Sequence, residues 1–276
     1  MAGKSELIAD LEEKARRIRV GIVRIAGMSE CHTGGSLSIA DIVAALYFHI
    51  MKVDPNDPGW DERDYFILSK GHTVPAVASA LAIRGFFPQE ALVTHLQLDS
   101  IIPGHACARI TPGIDVSTGS LGHGLSVGVG VALALRMDRA PNRVFVVLGD
   151  GELQEGSNWE AVMSASHHGL DNLVAVVDRN MYQTGPTETM MALEPLGDKW
   201  KSFGWGVEMI DGHNMSEIVE AFGRIPFQQG RPSVIIANTV KGKGVSFIEN
   251  HHMDEFTEQQ MLDALRELGE QERTDG

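Results

Sequence analysis

The chain has 276 residues, 43% hydrophobic and 22% charged, enough to bury the core of one large domain spanning residues 1–276. Its net charge of −14 excludes a nucleic-acid backbone as partner, so any anionic ligand must be met locally, by a metal ion or backbone amides. No stretch reaches the roughly 18 apolar residues of a membrane span. Glu6, Asp10, Glu12 and Glu13 break up any secretion signal, and Cys31 and Cys107 read as plain thiols, so a cytoplasmic protein is expected.

Residues 5–27 read as an amphipathic helix, with Leu7, Leu11, Ala15, Ile18, Ile22 and Ile25 on one stripe. A second helix is predicted from Ile39 to about Met51, followed by a loop at Pro55-Asn56-Asp57-Pro58-Gly59. Tyr65–Leu68, Val144–Leu148, Leu173–Val177, Val207–Ile210 and Val234–Ala237 read as buried strands, with runs between them long enough for helices. That alternation predicts an α/β fold with a mainly parallel central sheet flanked by helices. Residues 111–130 look like a Gly/Ser/Thr-rich loop running into a helix, and Thr257–Gln271 like a charged amphipathic helix.

Ligands in such sheets collect beyond the carboxyl ends of the strands. Here the strands run into Ser69-Lys70-Gly71-His72, Gly149-Asp150-Gly151-Glu152, Asp178-Arg179-Asn180 and Asp211-Gly212-His213-Asn214. Asp150 and Asn180 lie 30 residues apart, each just past a strand, and Asn158–Gly169 can form the crossover helix that brings both to one sheet edge. One carboxylate with one amide oxygen suits a hard cation that takes the rest of its shell from phosphate and water. A solvated turn after each strand is the bland alternative for either residue alone; the spaced pair is more specific. Dinucleotide, Walker and zinc patterns are not matched.

Gly149-Asp150-Gly151, then 28 residues, then Asn180 resembles the thiamine diphosphate motif, and Gly149–Ala161 is similar to its transketolase version. His32-Thr33-Gly34-Gly35-Ser36, Ser69-Lys70-Gly71-His72, Pro103-Gly104-His105 and Ser117–Gly124 extend the resemblance to the N-terminal, cofactor-binding subunit of split transketolases. The resemblance implies thiamine diphosphate with magnesium (or calcium or manganese), held by Asp150, Asn180 and the carbonyl of Tyr182. It also implies that the Gly151 amide and His72 meet the diphosphate, and that Gly119 and Leu121 meet the aminopyrimidine. Glu155 and Glu160 match acidic residues that link the two active sites of the family dimer. His32, His72 and His105 match the active-site histidines, where imidazoles would move protons to and from sugar hydroxyls.

His123 lies where the family usually has glutamine. A further family histidine follows a Lys-Gly-x-Gly segment; after Lys241-Gly242-Lys243-Gly244 either His251 or His252 could take that place. His49, His95, His167, His168 and His213 are read as solvated or helix-capping residues, and Cys31, Cys107 and the 12 methionines as packing residues.

No second set of strands follows Asn238. The family's pyrimidine-binding and C-terminal domains are therefore expected on a partner chain, in a two-fold heterotetramer working on sugars or sugar phosphates. Two alternatives are weighed beside this: another thiamine-dependent carboligase subunit (deoxyxylulose phosphate synthase-like or a ketoacid dehydrogenase component), and a non-catalytic cofactor-binding scaffold.

Overall fold

The computed structural model describes residues 2–253 and 255–270. In chain order it contains α1 (Ala2–Ala26), α2 (Thr33–Ser38), α3 (Ala40–Ala45), β1 (Tyr65–Leu68), α4 (Val74–Arg84), α5 (Gly124–Met137), β2 (Val144–Gly149), α6 (Gly156–His167), β3 (Leu173–Arg179), α7 (Thr187–Met190), α8 (Leu196–Ser202), β4 (Gly206–Asp211), α9 (Met215–Gly223), β5 (Ser233–Asn238) and α10 (Glu258–Glu267).

The five strands form one sheet in the order β1-β2-β3-β5-β4. Every pairing is parallel, and Gly149 at the end of β2 sits in register with Asp178 on β3. Side chains alternate between two faces, as the period of two demands. Phe66, Leu68, Phe145, Val147, Val174, Val176 and Ile235 pack with α1, α3, α4 and α9. Ile67, Val146, Leu148, Ala175, Val177 and Ile236 pack with α5, α6 and α8. Both faces are covered, so the strands read as unbroken apolar runs.

Leu11, Ala15, Ile18, Ile22 and Ile25 of α1 are fully buried at helical spacing. Each large one of these stabilises the fold by roughly 2 kcal/mol through removal from water. Three of the four tryptophans form one cluster on the α6 side. Trp200 lies 4.8 Å from Trp205 and 5.8 Å from Trp159, whose ring stacks on Phe203. Trp159 Nε1 donates to the carbonyl of Leu153, in the turn directly after β2.

Two expectations need correction. The helix predicted over Ile39–Met51 starts at Thr33, breaks at Ile39 and ends in a π-helical turn over Leu46–Ile50. The Gly34-Gly35 pair disguised its first turn as a loop. Seven methionines (28, 137, 163, 181, 190, 191 and 209) are exposed rather than packed in the core. The C-terminal helix is present with a capping box formed by Thr257 and Gln260, while its predicted last residue, Gln271, lies outside the described residues.

Candidate active site

The loops after β1, β2, β3 and β5 converge at one edge of the sheet around a cavity of about 430 Å³. Its wall includes His32, His72, His105, Gly119, Leu121, Asp150, Gly151, Glu155, Asn180 and Tyr182. Glu160, paired with Glu155 by the resemblance, does not line it and is exposed on α6. His123 is exposed at the start of α5, away from the cavity wall. Lys70, Glu152, Gln154, Gln183, Thr184, Lys241 and His252 join the lining.

The chain approaches itself closely here. A Cβ at Gly71 would lie 2.6 Å from the Thr118 carbonyl oxygen, so only glycine lets the loop after β1 lie against the loop before α5.

Asp150 is 1% exposed. Its Oδ1 accepts from the Gly151 amide at 2.7 Å, and its Oδ2 accepts from Met181 N at 2.8 Å and Arg179 Nη1 at 2.9 Å. Burial raises its pKa above the ordinary carboxylate range and the nearby Asp178 adds to this, while the Arg179 guanidinium opposes both. The Gly151 amide, expected to face a diphosphate, is thus turned onto the Asp150 carboxylate.

Asn180 is oriented by its neighbours. Its Nδ2 donates to Asp178 Oδ2 at 2.7 Å, and its Oδ1 accepts from Tyr182 N at 3.0 Å. Asp178 is fully buried and also takes Lys70 Nζ at 2.5 Å, Ser38 Oγ at 2.7 Å and the Thr239 hydroxyl. With the amide nitrogen held by that carboxylate, the orientation of the Asn180 amide is fixed at the cavity wall that it shares with Asp150. Asp178 and Lys70 were named only as parts of motifs; their residue types beside Asn180 were the available signal.

Above this end lies a cluster of imidazoles. His32 meets His72 edge-on at 4.8 Å and lies 6.4 Å from His252. Burial lowers the His72 pKa to about 3, with Lys70, His32, His105 and Lys241 adding to it. His72 is therefore a neutral imidazole near pH 7. Lys241 Nζ donates to the Gln183 carbonyl at 2.7 Å and lies 3.4 Å from His252 Nδ1. His251 instead points to the Glu249 carbonyl, and His252 is the member of the pair that lines the cavity.

Two histidines read as solvated are not. His95 is 2% exposed and bonds Ser29 Oγ at 2.7 Å. His213 places Nδ1 2.8 Å from Asp41, while its Nε2 accepts from Val240 N at 2.9 Å. The helix-capping role belongs to the next residue, Asn214. Each histidine found a partner far away in sequence, which no local pattern displays.

Residues 11–256 match a family model described as transketolase, thiamine diphosphate binding domain. The chain belongs to the transketolase family. A 6-deoxy-6-sulfo-D-fructose transketolase subunit from Clostridium sp. (strain MSTE9) is 48% identical over 96% of this chain and 98% of its own length. One of the subunits of an apulose-4-phosphate transketolase from Phocaeicola vulgatus is 42% identical, over 95% of each chain. The transketolase structure from Leishmania mexicana superposes with a TM-score of 0.89 at 26% identity, over 96% of this chain and 42% of that one. The chain thus spans less than half of that solved transketolase, and nearly the whole length of the two subunits. Within the family it corresponds to the thiamine diphosphate-binding α/β domain.

Proposed function

We propose that this chain is the thiamine diphosphate- and magnesium-binding subunit of a split transketolase, which transfers a two-carbon ketol unit from a ketose or ketose phosphate to an aldose. The observation that carries this reading is the shared cavity: His32, His72, His105 and His252 line the same wall as Asp150 and Asn180.

The residues present fit the cation. One buried carboxylate and one amide oxygen, pre-turned by Asp178, leave the remaining positions to the Tyr182 carbonyl, phosphate oxygens and water, as magnesium prefers. Among the described residues no group of three or more His, Cys, Asp or Glu could hold an ion. The cation therefore needs its diphosphate to complete the shell. Lys70 and Lys241, both buried at the cavity, offset the anionic charge.

When bound, thiamine diphosphate supplies the carbanion chemistry that cleaves a ketose beside its carbonyl. The chain's residues do the rest. Neutral His72 hydrogen-bonds without repelling the cationic ring. His32, His105 and His252 hold the carbonyl end of the sugar and move protons at its hydroxyls. Gly119 and Leu121 form the wall for the aminopyrimidine.

The pyrimidine-binding half is assigned to a partner chain, in a two-fold heterotetramer. Two relatives matched along nearly their whole length are named as subunits, which supports this. So does the surface. Val127, Gly130, Ala134 and Met137 form an exposed small and apolar stripe along α5, with Met163 exposed on the adjoining α6. Glu155 and Glu160 lie on the same side, at the start and exposed face of α6, where a facing protomer could join the two sites. A cytoplasmic setting is part of this reading; no helix of the described residues is long and apolar enough to cross a membrane.

The test is an assay of the co-purified pair with magnesium and thiamine diphosphate on a panel of ketoses and ketose phosphates, with pyruvate as the control donor. The expected product is an aldose two carbons shorter than the donor. Turnover of pyruvate with none of the ketoses would overturn the reading.

A further inference from the structure

The Glu152 side chain joins three loops that each contribute to the cavity wall. Glu152 is 3% exposed and lies two residues beyond Asp150. Its Oε1 accepts from the Gly122 amide at 3.0 Å and from the Ser69 hydroxyl. Its Oε2 accepts from the Gly149 amide at 3.0 Å. Its own backbone carbonyl accepts from Asn158 Nδ2 at 2.6 Å, which ties the turn to α6.

We propose that Glu152 is a positioning residue that clamps the Gly119–Gly122 loop and the loop after β1 onto the Gly149–Gly151 turn, and so fixes the width of the cofactor cavity. The cofactor part of this rests on the thiamine diphosphate reading above.

The clamp acts on one peptide in particular. Gly122 has φ +87°, and a Cβ there would lie 2.6 Å from that of Glu155. Its amide is held by Glu152, and its carbonyl accepts from Ser157 Oγ at 2.9 Å. At the other end of the loop, Thr118 Oγ1 donates to the Leu68 carbonyl at 2.6 Å and Thr118 N donates to the Ala106 carbonyl at 3.0 Å. Residues 119–121 are a short span between two fixed points, and this span carries Gly119 and Leu121 to the cavity.

The residue type matters. Three donors converge on the side chain, and only a carboxylate offers two acceptor oxygens with no donor of its own. An apolar residue would strand the Gly122 and Gly149 amides beside a buried site. A glutamine can face its oxygen to Gly122 and Ser69, but its amide group then confronts Gly149.

Hydrogen exchange of the full chain without cofactor tests the clamp, and calorimetry on the complex assembled with the partner chain tests its consequence. Glu152→Ala is expected to speed exchange at residues 119–122 and 149 by about tenfold or more, leaving Val174–Val177 of β3 unchanged. Glu152→Gln should restore protection at Gly122 but not at Gly149. Thiamine diphosphate affinity should fall about tenfold in the alanine variant, and the assembled enzyme should recover its kcat at saturating cofactor, moving the cofactor KM alone. Ser157→Ala, which frees the other end of the Gly122 peptide without touching the carboxylate, covers the case in which Glu152→Ala does not fold; it should loosen residues 119–123. Unchanged exchange around Gly122 in these variants would overturn the proposal even if the wild type binds cofactor. A wild type that binds none, with Gly122 loosened as expected, would leave the clamp standing and defeat the cofactor reading.

Discussion

Replacing Asp150 by Asn removes the charge from the proposed cation site with almost no change in volume. Three donors reach the carboxylate, Gly151 N on Oδ1 and both Met181 N and Arg179 Nη1 on Oδ2. An amide has a single acceptor oxygen, so its NH2 must face at least one of them. With the oxygen toward Arg179 and Met181, one backbone hydrogen bond is lost, about 1 kcal/mol of stability. Arg179 keeps Glu188 at 2.5 Å and Glu194 at 3.0 Å, so it is not stranded and the variant should fold. The proposed cation, however, would lose the one carboxylate assigned to it from this chain. A charge-assisted bond is worth about 1.5–3 kcal/mol, so cofactor affinity should fall about 10²-fold, or about 2.8 kcal/mol. Calorimetry of thiamine diphosphate binding to the assembled complex, at several magnesium concentrations, measures both the loss and the shift of the magnesium midpoint to higher concentration. Unchanged affinity with unchanged magnesium dependence would refute the assignment.

His72→Gln should flatten the acid limb of the stability profile. The folded pKa of about 3 lies below the ordinary 6.5, so only the unfolded chain takes up the proton as pH falls through 6.5, and stability is lost down to about 3. Between pH 7 and 5 the wild type should lose about 2 kcal/mol more than the variant in urea titrations; parallel profiles would place His72 in water. His105→Ala should leave cofactor affinity near wild type and lower ketose turnover about 10²-fold, and a loss of cofactor binding instead would put this ring on the wrong side of the site. His252→Ala should cut turnover while His251→Ala leaves it within about twofold, which steady-state kinetics on the pair would decide; the reverse order would exchange their roles. Val127→Glu, on the exposed stripe of α5, should prevent association with the partner chain while circular dichroism stays unchanged, and light scattering showing an intact heteromer would remove that stripe from the interface.

The strands were legible because both faces of the sheet are covered: Val144–Leu148 and Leu173–Val177 could be read from hydropathy alone. Hydropathy stopped short at Asp178 and Arg179, which continue β3. Their charges are neutralised by Lys70 from the loop after β1 and by Asp150, Glu188 and Glu194, and a linear pattern carries no trace of such distant partners. The same reason hid His213 and Glu152. The cavity-lining histidines were found through their glycine-containing motifs. The choice of His252 over His251 needed the course of the loop after Gly244, because neighbouring residues with the same side chain differ only in direction.

The tryptophan cluster gives the chain a built-in optical reporter. Trp159 holds the carbonyl of Leu153 with its indole nitrogen while its ring lies against Trp200 and Phe203. Its environment is therefore tied at one end to the turn that follows Asp150 and at the other to the packed face of α6. Any shift of that turn alters the coupling between rings stacked within energy-transfer range, and near-ultraviolet dichroism and emission should change with it. Trp60, 36% exposed in the loop before β1, contributes a solvent-averaged background. A ligand that shifts this turn could thus be followed in the unlabelled protein, by the light its own side chains absorb and emit.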